Sequence, residues 1–278
     1  MSGTYSKREL AGTGRQRTFT ADHLHEISFP LGGLGAGCLH VGGRGNFQDF
    51  LLFHEPDFGH SPMTFAAVHT RSADRRTDAG VTRVLEGPVG APQIFNRARF
   101  GSGLLDSGHE GLPHMESAQF TGEFPFARVR FKDRELPLTA RLEAWSPFVP
   151  GDAEASGLPA AIAVYTLKNS SRTAQHVQFS FHAQYPRQRQ DLTGHTVRHR
   201  QDDGAAGLWM DSALPTDDVE RTSIAVVSPR SGQQADCAWF RGGWWDALTM
   251  LSNQLLAGKL KHAAESKPVT FGQRARLG

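Results

Sequence analysis

Apolar and polar residues alternate with a period of two in several runs of this chain, and that alternation constrains what it can fold into. Ala127, Val129 and Phe131 alternate with Arg128, Arg130 and Lys132. Leu138, Ala140, Leu142 and Ala144 alternate with Thr139, Arg141 and Glu143, and Val177, Phe179, Phe181 and Ala183 with Gln178, Ser180 and His182. Successive side chains of a strand point to opposite faces, so each run carries one apolar and one wet face, as half-buried antiparallel strands require. Ala160 to Leu167 is a more continuous apolar run, which predicts a strand buried on both sides. Thr222 to Val227 and Ala235 to Phe240 are further strand candidates. Lys132-Asp133-Arg134, Lys168-Asn169-Ser170-Ser171 and Asp202-Asp203-Gly204 supply turns between the runs. Many short strands and few helical patterns argue for a sandwich or a barrel. One segment differs: from Trp245 to Ala257, Leu248, Leu251, Leu255 and Leu256 recur at helical spacing, and Gly258 follows as a C-cap.

The 278 residues can hold one large domain or two small ones. Thirty Lys and Arg against 28 Asp and Glu leave a formal charge of +2, which gives no general attraction to nucleic acid or anionic membranes. Cys38 and Cys237 are the only cysteines, too few and too far apart for a disulfide framework, and are read as reduced thiols. Met1 to Thr18 has no apolar core of a secretory signal, and no stretch approaches the length of a membrane span. A soluble cytoplasmic protein is the expectation.

Several features suggest chemistry and are better explained by structure. Pro30-Leu31-Gly32-Gly33-Leu34-Gly35-Ala36-Gly37 has neither phosphate-loop spacing, and no helix pattern follows to place a dipole under a phosphate. Its glycines are expected to let strands bend and pack closely. His23 and His25 are placed to share one face of a strand, whereas His195 and His199 would align only on a helix that their surroundings do not predict. Neither pair is joined by a zinc-type ligand set, so no metal and no cofactor is expected. There is no G-x-S-x-G elbow. Glu55 with Asp57, and Asp202 with Asp203, read as solvated turn residues rather than carboxyls facing each other across a sugar. Asn169-Ser170-Ser171 matches the glycosylation pattern, but Asn169 is expected to serve a tight turn. Trp209, Trp239, Trp244 and Trp245 are suited to stacking on sugar rings and equally to a core or interface. Arg187, Arg189, Arg198 and Arg200 form a basic cluster without interleaved aromatics, read as a solvated face or a contact with another domain.

Two stretches carry a resemblance. The first is Phe29-Pro-Leu-Gly-Gly-Leu-Gly-Ala-Gly-Cys-Leu-His40, continuing through Gly43-Arg-Gly-Asn-Phe-Gln-Asp-Phe50 and Phe53-His-Glu-Pro56. The second runs from Leu112-Pro-His114 through Gly122-Glu-Phe-Pro-Phe-Ala127, Glu135-Leu-Pro-Leu138 and Glu143-Ala-Trp-Ser-Pro-Phe148 to Leu158-Pro-Ala-Ala161 and Tyr165-Thr-Leu-Lys-Asn169. An echo follows in Gly242-Gly-Trp-Trp-Asp246. In this order they resemble the N-terminal region of glycoside hydrolase family 116, the family of bile acid β-glucosidase, also called non-lysosomal glucosylceramidase, and of bacterial β-glucosidases. The resemblance implies a β-sandwich followed by an (α/α)6 barrel, with the nucleophilic Glu and the acid/base Asp of a retaining mechanism in the barrel.

Together these readings predict an all-β fold, a large antiparallel β-sandwich with a short helix near the C-terminus. Residues 1–20 are expected to be a flexible N-terminus, 21–241 the sandwich, and 242–278 the helix and the start of a linker to a catalytic domain missing from this chain. No catalytic residue is assigned, and the chain alone is expected to be inactive. Arg44, Asp49, His54 and Trp245 are the candidates for a substrate rim or interdomain contact. The implied partners are the (α/α)6 domain and a β-glucoside or glucosylceramide, with no nucleic acid and no transmembrane segment. The alternative is a stand-alone carbohydrate-binding or structural module.

Overall fold

The structure, a computed structural model, describes residues 7–12, 17–52, 58, 61–74, 79–90, 109–186, 194–202, 204–229, 232–237 and 246–265. A short helix α1 (Lys7–Ala11) precedes β1 (Thr18–Thr20), a 3-10 turn (Ala21–Leu24), β2 (Ser28–Leu31), β3 (Cys38–Gly42) and β4 (Phe47–Leu51). Then come β5 (Phe65–Ser72), β6 (Val81–Val84), β7 (Ser117–Glu123), β8 (Phe126–Lys132) and β9 (Leu138–Trp145). A one-turn helix α2 (Ala153–Ser156) leads to β10 (Ile162–Asn169), β11 (Gln175–His182), β12 (Thr196–Asp202), β13 (Ala205–Asp211) and β14 (Ser223–Ser228), and α3 (Asp246–Leu256) closes the series.

The strands form four antiparallel sheets, ordered β1-β7-β8-β9-β10, β2-β3-β4, β11-β5-β6 and β12-β13-β14. One core cluster defines the layers. Ala127, Val129 and Phe131 of β8 and Leu138, Ala140, Leu142 and Ala144 of β9 pack with Leu31 and Val41 of the β2-β3-β4 sheet and with Ala66 and Val68 of β5. The five-stranded sheet is therefore one layer, and the β2-β3-β4 and β11-β5-β6 sheets face it across the core. Arg83 on β6 fastens the layers at the rim: its Nε donates to Asp133 at 2.7 Å and Nη2 donates to Glu135, both in the β8–β9 turn.

The alternating runs became β8, β9 and β11, as their period required. The continuous run did not become a doubly buried strand. β10 pairs with β9 on one side and closes the five-stranded sheet, and Val164 remains 43% exposed. The strand covered on both faces is β5. Ala66 and Val68 face the main core, while Phe65 and Ala67 face a second cluster with Leu251 and Leu255 of α3. Val177 and Phe179, expected inside, are also partly exposed, because β11 is an edge strand paired with β5. Residues 235–240 are not a strand where they are described; Asp236 makes one isolated bridge to Ala263.

Asn169 serves the turn, as expected. It accepts from Ser171 N at 2.9 Å and donates to Thr173 O at 2.8 Å, turning the chain from β10 in one layer to β11 in the other. The helix expected at 245–257 is α3, described from Asp246 to Leu256. Gly258 (φ +61°) ends it: Gly258 N donates to Leu255 O and Lys259 N to Gln254 O, the paired bonds of a Schellman cap. A Cβ at Gly258 would lie 2.4 Å from the His69 ring, so glycine is required there for space as well as for φ. Val197 of β12 and Met210 of β13 join Tyr185 and Cys237 in a smaller core against the β12-β13-β14 sheet. No helix among the described residues is long and apolar enough to cross a membrane.

Burial would raise the Asp133 carboxyl, but the Arg83 hydrogen bond and the backbone N–H groups of Leu136 and Glu135 outweigh it and hold it below its usual value of 3.8. A depressed carboxyl stabilises the fold above its unfolded pKa, and the contribution disappears as pH falls through the folded one. Urea denaturation from pH 5 down to pH 2 should therefore show a shallower loss of stability below about 3.8 in Asp133→Asn than in the wild type. Parallel acid limbs would contradict this role for the pair.

Candidate functional site

Four connections meet around a cleft of about 310 Å³. They are the glycine-rich loop between β2 and β3, the β7–β8 turn at Phe124 and Pro125, the segment Ser146–Phe148 after β9, and Ser156 of α2. The loop is held by backbone contacts: Gly32 N donates to Ser146 Oγ at 2.6 Å and Leu34 N to Ser156 O at 2.8 Å. At Gly33 a Cβ would lie 2.4 Å from Gly157 O, so the loop can approach α2 this closely only without a side chain. This is the structural role expected of the glycines, and a strand rather than a helix follows them.

The cleft's surroundings are apolar and open. Leu34 is 63% exposed and Phe124 61%, and Phe148, Val149 and Leu158 beside them are also exposed. Phe124 and Phe148 meet edge to face with centroids 4.9 Å apart. These residues lie on connections rather than in sheet faces, so folding of the sandwich does not demand that they be apolar. Exposed apolar side chains gathered around a cleft make this face a candidate contact surface.

Two of the four sequence candidates, Arg44 and Asp49, fall among the described residues. Arg44, in the β3–β4 turn, is buried rather than presented at a surface. Its Nη2 donates to Glu86 Oε2 at 2.6 Å, and its carbonyl accepts from Gly87 N. Asp49 on β4 is half-buried with φ +51°, an unusual value outside glycine. It accepts from Ser28 Oγ at 2.6 Å, and its carbonyl accepts from His40 Nδ1 at 2.8 Å. His54 and Trp245 lie outside the described residues, as do Glu55, Asp57, Arg187, Arg189, Asp203, Trp239 and Trp244. Trp209 on β13 has the Arg200 guanidinium over its ring at 5.5 Å. Arg198 and Arg200 are exposed on β12. His23 falls in a 3-10 turn that His25 follows, so the expectation of a shared strand face fails.

Sequence reasoning missed what surrounds Arg44. Glu86 is 1% exposed, and it takes His109 Nε2 at 3.0 Å on Oε1, with His114 Nε2 at 3.6 Å from Oε2. Phe65 stacks between His109 at 4.6 Å and His182 at 4.7 Å. Burial would raise the Glu86 carboxyl, yet the charge and hydrogen bond of His109, with the charge of Arg44, hold it well below the ordinary carboxylate range. Burial works to lower His109, and Glu86 outweighs it, so that imidazole is raised. Burial, with His109 nearby, pushes His182 down to about 3, keeping it neutral. Spacings of 23 and 5 residues between Glu86, His109 and His114 match no local motif, so no sequence signal could have found the group.

Fold and site thus define a two-layer β domain with exposed apolar side chains around its glycine-rich loop. The chain matches, over residues 28–275, the family model described as beta-glucosidase 2, glycosyl-hydrolase family 116 N-term, and it belongs to that family. No curated protein matches it.

Removing one partner of a buried pair leaves an uncompensated charge. Arg44→Ala should cost about 3–5 kcal/mol in urea denaturation, and adding Glu86→Gln should recover part of that loss. A cost below about 1 kcal/mol, the range of a surface pair, would show that Arg44 is solvated instead.

Proposed function

We propose that this chain is the β-sandwich domain of a family 116 β-glucosidase or glucosylceramidase-type enzyme, and that it supports an (α/α)6 catalytic domain carried elsewhere. Family membership over residues 28–275 is the observation that carries this reading. The open apolar face around the glycine-rich loop supports it, because a domain that works against a partner needs such a surface. On this reading the barrel docks at Leu34, Phe124, Phe148 and Leu158. Asp49, His54 and Trp245 are proposed for the rim of the substrate mouth, and Arg44 supports that region from inside. The linker to the barrel starts after α3. The free state of Cys38 and Cys237 supports a cytoplasmic location.

Two measurements test the proposal. The chain alone should release no aglycone from an aryl β-glucoside; turnover by the chain would overturn the assignment of catalysis to the barrel. Mixed with a separately expressed family 116 barrel, it should co-elute in size exclusion, and Phe124→Asp with Phe148→Asp should abolish co-elution. Co-elution unaffected by the double variant would place the contact on another face.

A further inference from the structure

Glu86, His109 and His114 have a geometry that an ion pair with Arg44 does not account for. His114 Nδ1 lies 2.7 Å from Leu112 O. A carbonyl oxygen only accepts, so Nδ1 carries the proton, and Nε2 of the neutral ring presents a lone pair. That lone pair lies 3.6 Å from Glu86 Oε2, itself an acceptor, in a buried setting where Nε2 has no hydrogen-bond partner among the described residues. Two lone pairs facing each other away from water are unfavourable unless a cation or proton lies between them. On the other carboxylate oxygen, His109 Nε2 sits at 3.0 Å, and its Nδ1 is buried with no partner among the described residues.

We propose that Glu86, His109 and His114 form a buried binding site for one late first-row divalent ion of the Zn²⁺ type. One ligand atom from each residue lies within 4.8 Å of the others. Zinc bonds of about 2.1 Å place tetrahedral ligands about 3.4 Å apart; His109 Nε2 lies 3.0 Å from Glu86 Oε1 and His114 Nε2 3.6 Å from Oε2, so the three side chains need only draw in slightly to share one ion. Two imidazoles and one carboxylate suit zinc, cobalt or nickel rather than calcium or magnesium, which prefer all-oxygen shells.

The surrounding bonds are those that orient metal ligands. His114 donates its other ring N–H to a backbone carbonyl, and Arg44 holds the ligating carboxylate at 2.6 Å. When His109 Nε2 turns its lone pair to the ion, the ring proton moves to Nδ1, which no other described group engages. The Arg44 charge lowers the affinity but does not block the site, because each carboxylate oxygen has a second lone pair. Bound there, the ion fastens the segment 109–114 to Glu86, immediately behind the β3–β4 turn. This site is independent of any barrel partner.

The test uses the full chain, freed of metal by chelator and dialysis, then titrated with Zn²⁺ and Co²⁺. One ion per chain should bind, Zn²⁺ should raise the melting temperature, and Co²⁺ should give intense tetrahedral bands without thiolate charge transfer. Ca²⁺ and Mg²⁺ should do neither. His109→Gln and His114→Gln should each weaken Zn²⁺ binding by more than about tenfold, while His23→Gln, at an exposed position, should leave it unchanged. No stoichiometric binding, or binding unaltered in His114→Gln, overturns the proposal. If a histidine variant does not fold, the wild-type Co²⁺ spectrum decides: weak octahedral bands, or a thiolate band implicating Cys38 or Cys237, overturn it.

Discussion

A carboxylate taken out of water costs several kcal/mol unless charges and hydrogen-bond donors replace the solvent it has lost. Glu86 meets that requirement with groups from separate parts of the chain: Arg44 from the β3–β4 turn and His109 from the stretch before β7. The backbone follows the same path, since Gly87 N donates to Arg44 O and Met115 N donates to Glu86 O. Met115 then enters the main core. The pairing of β7 with β8, and so the position of the five-stranded layer over β3 and β5, is set next to this charge cluster. Arg83 with Asp133 and Glu135 repeats the device at a wetter place.

Once that node is in place, β5 becomes the centre of the molecule. It is paired on both sides and packed on both faces, with the main core against Ala66 and Val68 and α3 against Phe65 and Ala67. Phe65 also carries His109 and His182 on its two ring faces. The hydrophobic packing of α3 and the polar node thus meet at Phe65 and at Leu112, which packs in the same cluster as Leu251 and Leu255.

The fold was legible where its causes were local. The β8–β9 hairpin has a strict period of two and a short turn with Asp133 placed to cap it, and both follow from neighbours in sequence. Helix α3 was legible from its leucine spacing and from Gly258. Periodicity failed at β10 and β5 for one reason: a strand's burial depends on whether it lies at an edge or in the middle of a sheet, which is a long-range property. The apolar run of β10 looks central and is peripheral, while His69 and Thr70 disguise the buried β5. Among site residues, Arg44 stood out in the resemblance, but its partners could not be read, because Glu86, His109 and His114 meet only after the layers close.

Exposed apolar residues in this domain divide by position, and the division bears on what the domain is for. Val164, Val177 and Phe179 belong to edge strands, where incomplete coverage follows from the topology, and Tyr165 still reaches Phe179 across the sandwich at 5.4 Å. Leu34, Phe124 and Leu158 have no such excuse. They sit on connections whose geometry is already held by backbone bonds to Ser146 and Ser156 and by glycines that permit close approach. A polar residue at any of them would leave those bonds intact and make the monomer more soluble. The stability of the sandwich therefore gives no reason for apolar side chains there, whereas a rigid contact face on a domain that works against another does.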